Sequence, residues 1–255
     1  MQKREITFIG AGNMAFSIAK GLRDIYDIEV VARDNSKLDI FENNLNTQIK
    51  KTPLRGFNIS DKTIILCVKP NNIEEVAKQL KGKCNALYSV LAGTSLDKLK
   101  HNIKAKSIVR TMPNLGASVG ESMTTITGDI TYKDEVIRVF NSIGTTLWLN
   151  SEKELDIATA LAGSGPAYLA LIAEALTDGA VKQGLKREDS MEIMRGLFKG
   201  FGNLIQSSHP ALLKDAVMSP AGTTACGYYE LEKSGVRMGC MNAIESAYNR
   251  AKELG

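Results

Sequence analysis

The residues best placed to do chemistry are small ones at helix starts. Gly10-Ala11-Gly12-Asn13-Met14-Ala15 fits the spacing GxGxxA, directly after the apolar run Ile6-Thr7-Phe8-Ile9 and at the start of a helical pattern. In that setting Gly10 permits a tight turn and Gly12 lets the backbone approach a pyrophosphate. The helix that follows offers unpaired N–H groups to the anion, which sets Ala11, Asn13 and Met14 beside it. The spacing alone is weak, and a βα turn without a ligand is the plain alternative. Position and context favour a dinucleotide. Ala15 stands where a third glycine often stands, so helix and strand are expected to pack slightly farther apart.

The end of the second apolar run bears on which nicotinamide cofactor is taken. An acid there would hold a ribose 2′-hydroxyl, whereas an arginine accepts a 2′-phosphate. The chain reads Val31-Ala32-Arg33-Asp34-Asn35-Ser36-Lys37. Arg33 favours NADPH, and Asp34 keeps NADH open. A solvated loop charge is the plain alternative for Arg33. Three further runs end in loops bearing Gly or Pro: Cys67-Val68-Lys69-Pro70, Leu91-Ala92-Gly93 and Arg110-Thr111-Met112-Pro113-Asn114. Ligands of open α/β sheets sit at the carboxyl ends of strands. Val68, Lys69, Pro70, Ala92, Gly93 and Asn114 are therefore expected along one cofactor cleft.

The second half holds two more turns of this kind. Ala162-Gly163-Ser164-Gly165-Pro166 introduces an apolar helix, and capping by Ser164 or Gly165 explains it fully. The same turn leaves N–H groups able to bind a carboxylate. Met218-Ser219-Pro220-Ala221-Gly222-Thr223-Thr224 repeats the idea with paired threonines. On chemistry alone, capping and an anionic-substrate site built from Ser164, Gly165, Gly222, Thr223 and Thr224 weigh evenly. No metal site is expected: the four cysteines form no CxxC pair, and only His101 and His209 could add nitrogen ligands.

These residues need elements to hold them. The first 150 residues alternate strand and helix patterns, which usually gives a parallel sheet with crossover helices. Strands are expected at 6–9, 28–32, 63–68, 86–91, 107–110 and 145–149. Helices are expected at 13–22, along the stripe Ile73, Val76, Ala77 and Leu80, and along Val136, Ile137, Phe140 and Ile143. Beyond Asn150 the strand signals stop. Residues 167–181 are apolar on nearly every face, a pattern that is normally buried all round. A second half this small could not cover such a helix alone, so another subunit is expected to. The stripe Met238, Met241, Ile244, Tyr248 and Ala251 reads as core packing. The expected fold class is thus α/β: a Rossmann-like dinucleotide-binding domain at 1–150, then an all-helical domain at 151–255.

Composition sets the outer limits. The chain has 255 residues, 44% apolar and 24% charged, which is ordinary for a globular protein. A net charge of +4 suits a small anionic ligand and is too weak to argue for nucleic acid. Scattered cysteines suit a reducing compartment. No signal peptide precedes the first strand, and no apolar stretch is read as long enough to cross a membrane. A cytoplasmic location is the resulting expectation.

Taken in order, FIGAGNMAFSIAKG, CVKP, SVLAG, RTMPNLGASVGE, ALAGSGPAYLALIAEALTDGAVKQGL and MSPAGTTACGYYELE resemble the pyrroline-5-carboxylate reductase family along the whole chain. The last two segments discriminate, since the first would fit many dehydrogenases. The resemblance implies NAD(P)H-dependent reduction of 1-pyrroline-5-carboxylate to proline. It also implies a helical domain that interlocks in homodimers, which in the family often build decamers. Thr224 aligns with the family's contact to the substrate nitrogen. Ala221-Gly222 stands where the family usually has two glycines, and Ser207 where it often has an acid. Other readings are another NADPH-dependent imine reductase, a hydroxyacid dehydrogenase, or a non-catalytic nucleotide sensor. No KxxNN follows Lys182, which counts against the dehydrogenase.

Overall fold

A computed structural model describes residues 3–254. The chain divides into two compact units, Met1–Pro166 with Ser246–Gly255, and Ala167–Glu245.

In the first unit β1 (Arg4–Ile9) leads into α1 (Asn13–Leu22), and β2 (Tyr26–Ala32) into α2 (Asn35–Leu45). Then follow β3 (Lys50–Pro53), β4 (Phe57–Asn58), β5 (Thr63–Leu66), α3 (Ile73–Ala77), β6 (Leu80–Lys81), β7 (Cys84–Ser89), α4 (Leu96–Asn102) and β8 (Ala105–Met112). The unit continues with β9 (Ser122–Gly128), α5 (Lys133–Phe140), β10 (Gly144–Trp148) and α6 (Glu152–Ala158). Eight strands form one sheet in the order β10-β9-β8-β7-β5-β1-β2-β3. Its neighbours run parallel except β8 and β9, which are antiparallel, so the sheet is not wholly parallel as the alternation suggests. Leu80, expected on a helical stripe, instead sits in β6, a short strand paired with β4.

The long apolar runs follow from burial on both faces. Side chains alternate along each strand. Phe8, Val30, Ile65, Tyr88 and Val109 join one core with α1 and α5, while Ile9, Val31, Ile64, Leu66 and Leu87 join a second core with α3 and α4. One register row decides what the sheet presents. Ile9 pairs with Val31 and Leu66, Leu66 with Ser89, and Ser89 with Arg110. The glycine turn, Arg33, Val68, Ala92 and Arg110 therefore all belong to the carboxyl edge.

One charged group interrupts the second core. The Glu29 side chain is 1% exposed and accepts from Thr7 Oγ1 at 3.0 Å, Thr52 Oγ1 at 2.8 Å, Lys50 Nζ at 3.0 Å and Lys62 Nζ at 2.7 Å. Burial works to raise its carboxyl, but the bonds from Lys62, Lys50, Thr52 and Thr7 outweigh it and hold the group below its ordinary value of 4.5.

The remaining helices are α7 (Gly165–Lys182), α8 (Arg187–Leu204), α9 (Pro210–Val217), α10 (Thr223–Lys233) and α11 (Val236–Leu254). Among their described residues only Thr177 and Ser190 are buried. Leu171 is 66% exposed within this chain, so the all-apolar helix is left uncovered, as expected of a surface meant for another subunit. Of the stripe expected to pack into a core, Met238 and Met241 are 58% and 61% exposed within this chain, whereas Ile244, Tyr248 and Ala251 are half-buried. The stretch Glu152–Lys182 spans 31 residues and contains an 18-residue window of mean hydropathy 1.4, long and apolar enough by length and composition to cross a bilayer. The sequence pattern hid this because Ser164-Gly165-Pro166 reads as a break, whereas α6, a π turn (Thr159–Gly163) and α7 run on from one another.

Candidate functional site

A cleft of about 360 Å³ opens at the carboxyl edge of the sheet. Its walls include Gly10, Ala11 and Gly12 after β1, Arg33, Asp34 and Lys37 after β2, and Val68 and Lys69 after β5.

The two glycines do different work. Gly10 has φ +109°, and a Cβ there would lie 2.6 Å from the Cys67 carbonyl oxygen. Both the left-handed backbone and the close approach demand glycine. At Gly12 a Cβ would meet nothing within 4 Å. The space over Gly12 is open where a phosphate would approach, so its small size serves a ligand rather than packing. Gly12 is also the N-cap of α1, with no side-chain cap and no acid in the first turn. That leaves N–H groups and the positive helix end facing outward. Asn13 and Met14 begin this turn. The residues present therefore fit a dinucleotide pyrophosphate. The close approach of α1 lies at Gly21, where a Cβ would be 2.6 Å from the Ser142 carbonyl oxygen, and its neighbour there is the 3₁₀ turn Asn141–Ile143 rather than a strand. Ala15 is simply buried in the core.

The structure also divides the roles of the two charges after β2. Asp34 Oδ1 accepts from Ser36 Oγ at 2.7 Å and from Ser36 N at 2.9 Å, capping α2. Those bonds hold its carboxyl below the usual carboxylate range. Arg33 is half-exposed, and its Nη1 lies 2.9 Å from Glu75 Oε1. A surface pair of this kind is worth little and is easily exchanged for another anion. Burial pushes the Cys67 thiol well above the ordinary range.

Other expected contacts lie on the same edge but outside the cleft's walls. Pro70 opens a short 3₁₀ turn (Pro70–Asn72). Ala92 and Gly93 follow β7, with Gly93 at φ +64°. Asn114 is committed within the chain: its Nδ2 donates to the Ala162 carbonyl at 3.0 Å, and its Oδ1 accepts from Gly116 N at 3.0 Å.

The two polar turns belong to different units. In the first, Ser164 N donates to the Thr159 carbonyl at 3.2 Å, closing the π turn, and Gly165 starts α7 with open space at its Cβ position. In the second, Gly222 is the uncapped N-cap of α10, with Thr223 and Thr224 exposed in the first turn. Ala221 adopts φ +57°, a left-handed conformation unusual for a side chain with a Cβ. The backbone retains there the shape of the glycine that the family pattern has. His209 caps α9 through Nδ1, while Ser207 bonds only a local carbonyl. No cluster of three potential metal ligands occurs among the described residues.

Sequence reasoning missed one buried group. Arg110 is 3% exposed and bonds Glu152 and Asp156, both at 2.8 Å, across 42 and 46 residues of chain. Only the fold brings these charges together, so no local spacing could have announced them.

Two family descriptions match parts of the chain. Residues 152–254 match pyrroline-5-carboxylate reductase dimerisation, and residues 5–93 match NADP oxidoreductase, coenzyme F420-dependent. Curated pyrroline-5-carboxylate reductases align nearly end to end: that of Pisum sativum is 37% identical over 97% of this chain and 94% of its own, and that of Synechocystis 33% over 98% of each. This chain belongs to the pyrroline-5-carboxylate reductase family. Solved family members superpose closely. The Coxiella burnetii reductase is 31% identical with a TM-score of 0.86, covering 100% of this chain and 99% of that one. A Plasmodium falciparum pyrroline carboxylate reductase, solved with NADP bound, is 30% identical with a TM-score of 0.80 over 100% and 99%. Membership of the reductase family brings with it a nicotinamide dinucleotide cofactor and oligomer formation. It also accounts for the apolar stretch Glu152–Lys182 without a bilayer, since all of it lies in the matched dimerisation region.

Proposed function

We propose that this chain reduces 1-pyrroline-5-carboxylate to L-proline, with NADPH preferred over NADH. What supports the reaction is the near full-length match to curated reductases, together with turns at Ser164 and Thr224 inside the matched 152–254 region. What supports NADPH is Arg33, half-exposed at the cleft, with Asp34 turned away to cap α2.

A reduced nicotinamide, when bound, supplies the hydride taken up at C5 of the imine. The protein's own task is to bind and orient. Gly10, Ala11, Gly12, Asn13 and Met14 cradle the pyrophosphate, Arg33 meets the 2′-phosphate, and Val68 and Lys69 complete the wall. Pro70, Ala92, Gly93 and Asn114 shape the same edge. The turns at Ser164–Gly165 and Gly222–Thr223 hold the substrate carboxylate through the N–H groups of Gly165 and Thr223, because those of Ser164 and Gly222 already donate to the Thr159 and Ser219 carbonyls. The Thr224 hydroxyl hydrogen-bonds the ring nitrogen and steadies the amine as it forms. A protonated imine is already electrophilic, so orientation carries most of the demand. The functional boundary falls near residue 150, with cofactor residues mainly before it and substrate residues after it. The working assembly is a homodimer that builds towards a decamer, in the cytoplasm.

The test is direct. Mixed with NADPH and 1-pyrroline-5-carboxylate, the protein should consume absorbance at the reduced-cofactor band and form proline. Turnover of 2-oxo or 3-oxo acids instead would make it a dehydrogenase, and tight cofactor binding without turnover a sensor. Positioned acids typically contribute 10²–10⁴-fold, and a neutral hydroxyl lies at or below the low end. Thr224→Ala should therefore cut turnover by up to about 10²-fold while NADPH affinity persists. Unchanged turnover removes Thr224 from the mechanism.

A further inference from the structure

Arg110 joins the end of β8 to α6. Its Nη1 donates to Glu152 Oε1 and its Nη2 to Asp156 Oδ1, each at 2.8 Å. Glu152 Oε1 also accepts the Leu96 N–H at 2.8 Å, which ties the same carboxylate to the first residue of α4. The Arg110 Nε is buried with no partner among the described residues. Arg110 is buried and its two carboxylates half-buried, and such an ion triad is a poor source of stability, because desolvation cancels much of the attraction. What a forked guanidinium does provide is fixed geometry.

The part held in place is unusual. Directly after α6 comes the π turn Thr159–Gly163, a rare conformation that is frequent at functional sites. Asn114, on the same edge as Arg110, donates to the Ala162 carbonyl at 3.0 Å within this turn. Its own amide is oriented by the Gly116 N–H at 3.0 Å, so it acts as a rigid peg. The carboxyl edge therefore grips the segment at two points: Arg110 before the π turn, Asn114 within it near its end. The next residues are Ser164 and Gly165.

We propose that Arg110 is a positioning residue for substrate recognition: through Glu152 and Asp156, and with Asn114 on the Ala162 carbonyl, it holds the π turn that Ser164 N closes on the Thr159 carbonyl and so sets the direction of the Gly165 N–H group that receives the substrate carboxylate. This rests on the reading of that turn given under the proposed function.

The test compares two imines, 1-pyrroline-5-carboxylate and 1-pyrroline, the same ring without the carboxylate. Arg110→Lys keeps the charge and loses the fork; Asp156→Asn keeps the volume and loses one anchor. Misplacing a binding group by about 1 Å costs up to roughly 10²-fold. Arg110→Lys should raise KM for the carboxylate substrate roughly 10-fold or more. KM for 1-pyrroline and Kd for NADPH should stay close to the parent values, and Asp156→Asn should shift in the same direction by less. A merely structural role would move all three constants together, and that result, or no shift in any, overturns the proposal. The parent enzyme separates the two readings. If it takes both imines with equal KM, the carboxylate is not read and the Ser164–Gly165 assignment falls along with this one. If it discriminates and Arg110→Lys discriminates equally, only the positioning role falls.

Discussion

At the scale of single residues, the two ends of the cofactor cleft ask different things of the chain. Gly10 is fixed by backbone shape and by the Cys67 carbonyl, whereas Gly12 is fixed by what must approach from outside. Arg33 has no structural duty beyond a surface pair with Glu75. Its removal should therefore leave the fold intact and read out in the cofactor alone. Charge-assisted hydrogen bonds contribute about 1.5–3 kcal/mol. Arg33→Ala should thus weaken NADPH at least about tenfold and leave NADH nearly unchanged, measured by fluorescence titration of both. Undiminished NADPH affinity would refute the assignment. Ala221 gives a second test at this scale. A Cβ in the left-handed region costs about 1–2 kcal/mol, while the glycine that relieves it gives back about 0.4–1 kcal/mol in unfolded-chain entropy. Ala221→Gly should raise the melting temperature by about 1–3 °C. A lowered melting temperature would show that the turn draws on the alanine for packing.

At the scale of elements, what could be read from sequence followed burial. Residues 13–22 and 63–66 were legible because two-sided burial leaves continuous apolar runs and one-sided burial leaves a helical stripe. β9 was not: Ser122, Thr124, Thr125 and Thr127 are buried, yet their hydroxyls make the run look like a loop. β3 hides for a related reason, since Lys50 and Lys51 give no apolar signal and the strand is needed at the sheet edge beside Glu29. The glycine cleft was legible because its chemistry is local in sequence, while the Arg110 triad was not. The Glu29 cluster makes this element-level packing sensitive to pH. Its carboxyl sits below 4.5 in the folded chain, so its contribution is fully present above 4.5 and lost as pH falls through the depressed folded value. Lys62 has the opposite sign. Burial lowers its ammonium, but Glu29 and Glu5 raise it further, so that contribution is lost only at strongly alkaline pH. Melting temperature at fixed protein concentration should therefore fall steeply on acidification below pH 4.5, and less steeply in Glu29→Gln. Equal slopes in the two proteins would count against Glu29 as the group responsible.

At the scale of the whole molecule, the decisive quantity is the apolar surface that the helical region leaves open. α7 and α8 border a groove of about 910 Å³ lined by Ala170, Leu171, Met191, Met194 and Phe198, and α11 adds Met238 and Met241. Monomeric proteins seldom expose contiguous apolar surface on this scale. The matched dimerisation region supplies the covering partner: a second copy of the same helices. Folding of the helical region and assembly are then one process, since helices without a buried face gain little stability from propensity alone. A single charge in this surface should separate the two halves of the enzyme. Met241 is 61% exposed in the isolated chain, so Met241→Glu introduces no clash within it. Buried in a dimer, an unpaired carboxylate costs several kcal/mol. Light scattering should show Met241→Glu shifted to monomer, with turnover lost and NADPH binding retained, because the glycine cleft is built entirely from the first unit. A variant that stays assembled would place Met241 outside the interface. One that dissociates yet keeps full turnover would show that the paired helices do not complete the catalytic site.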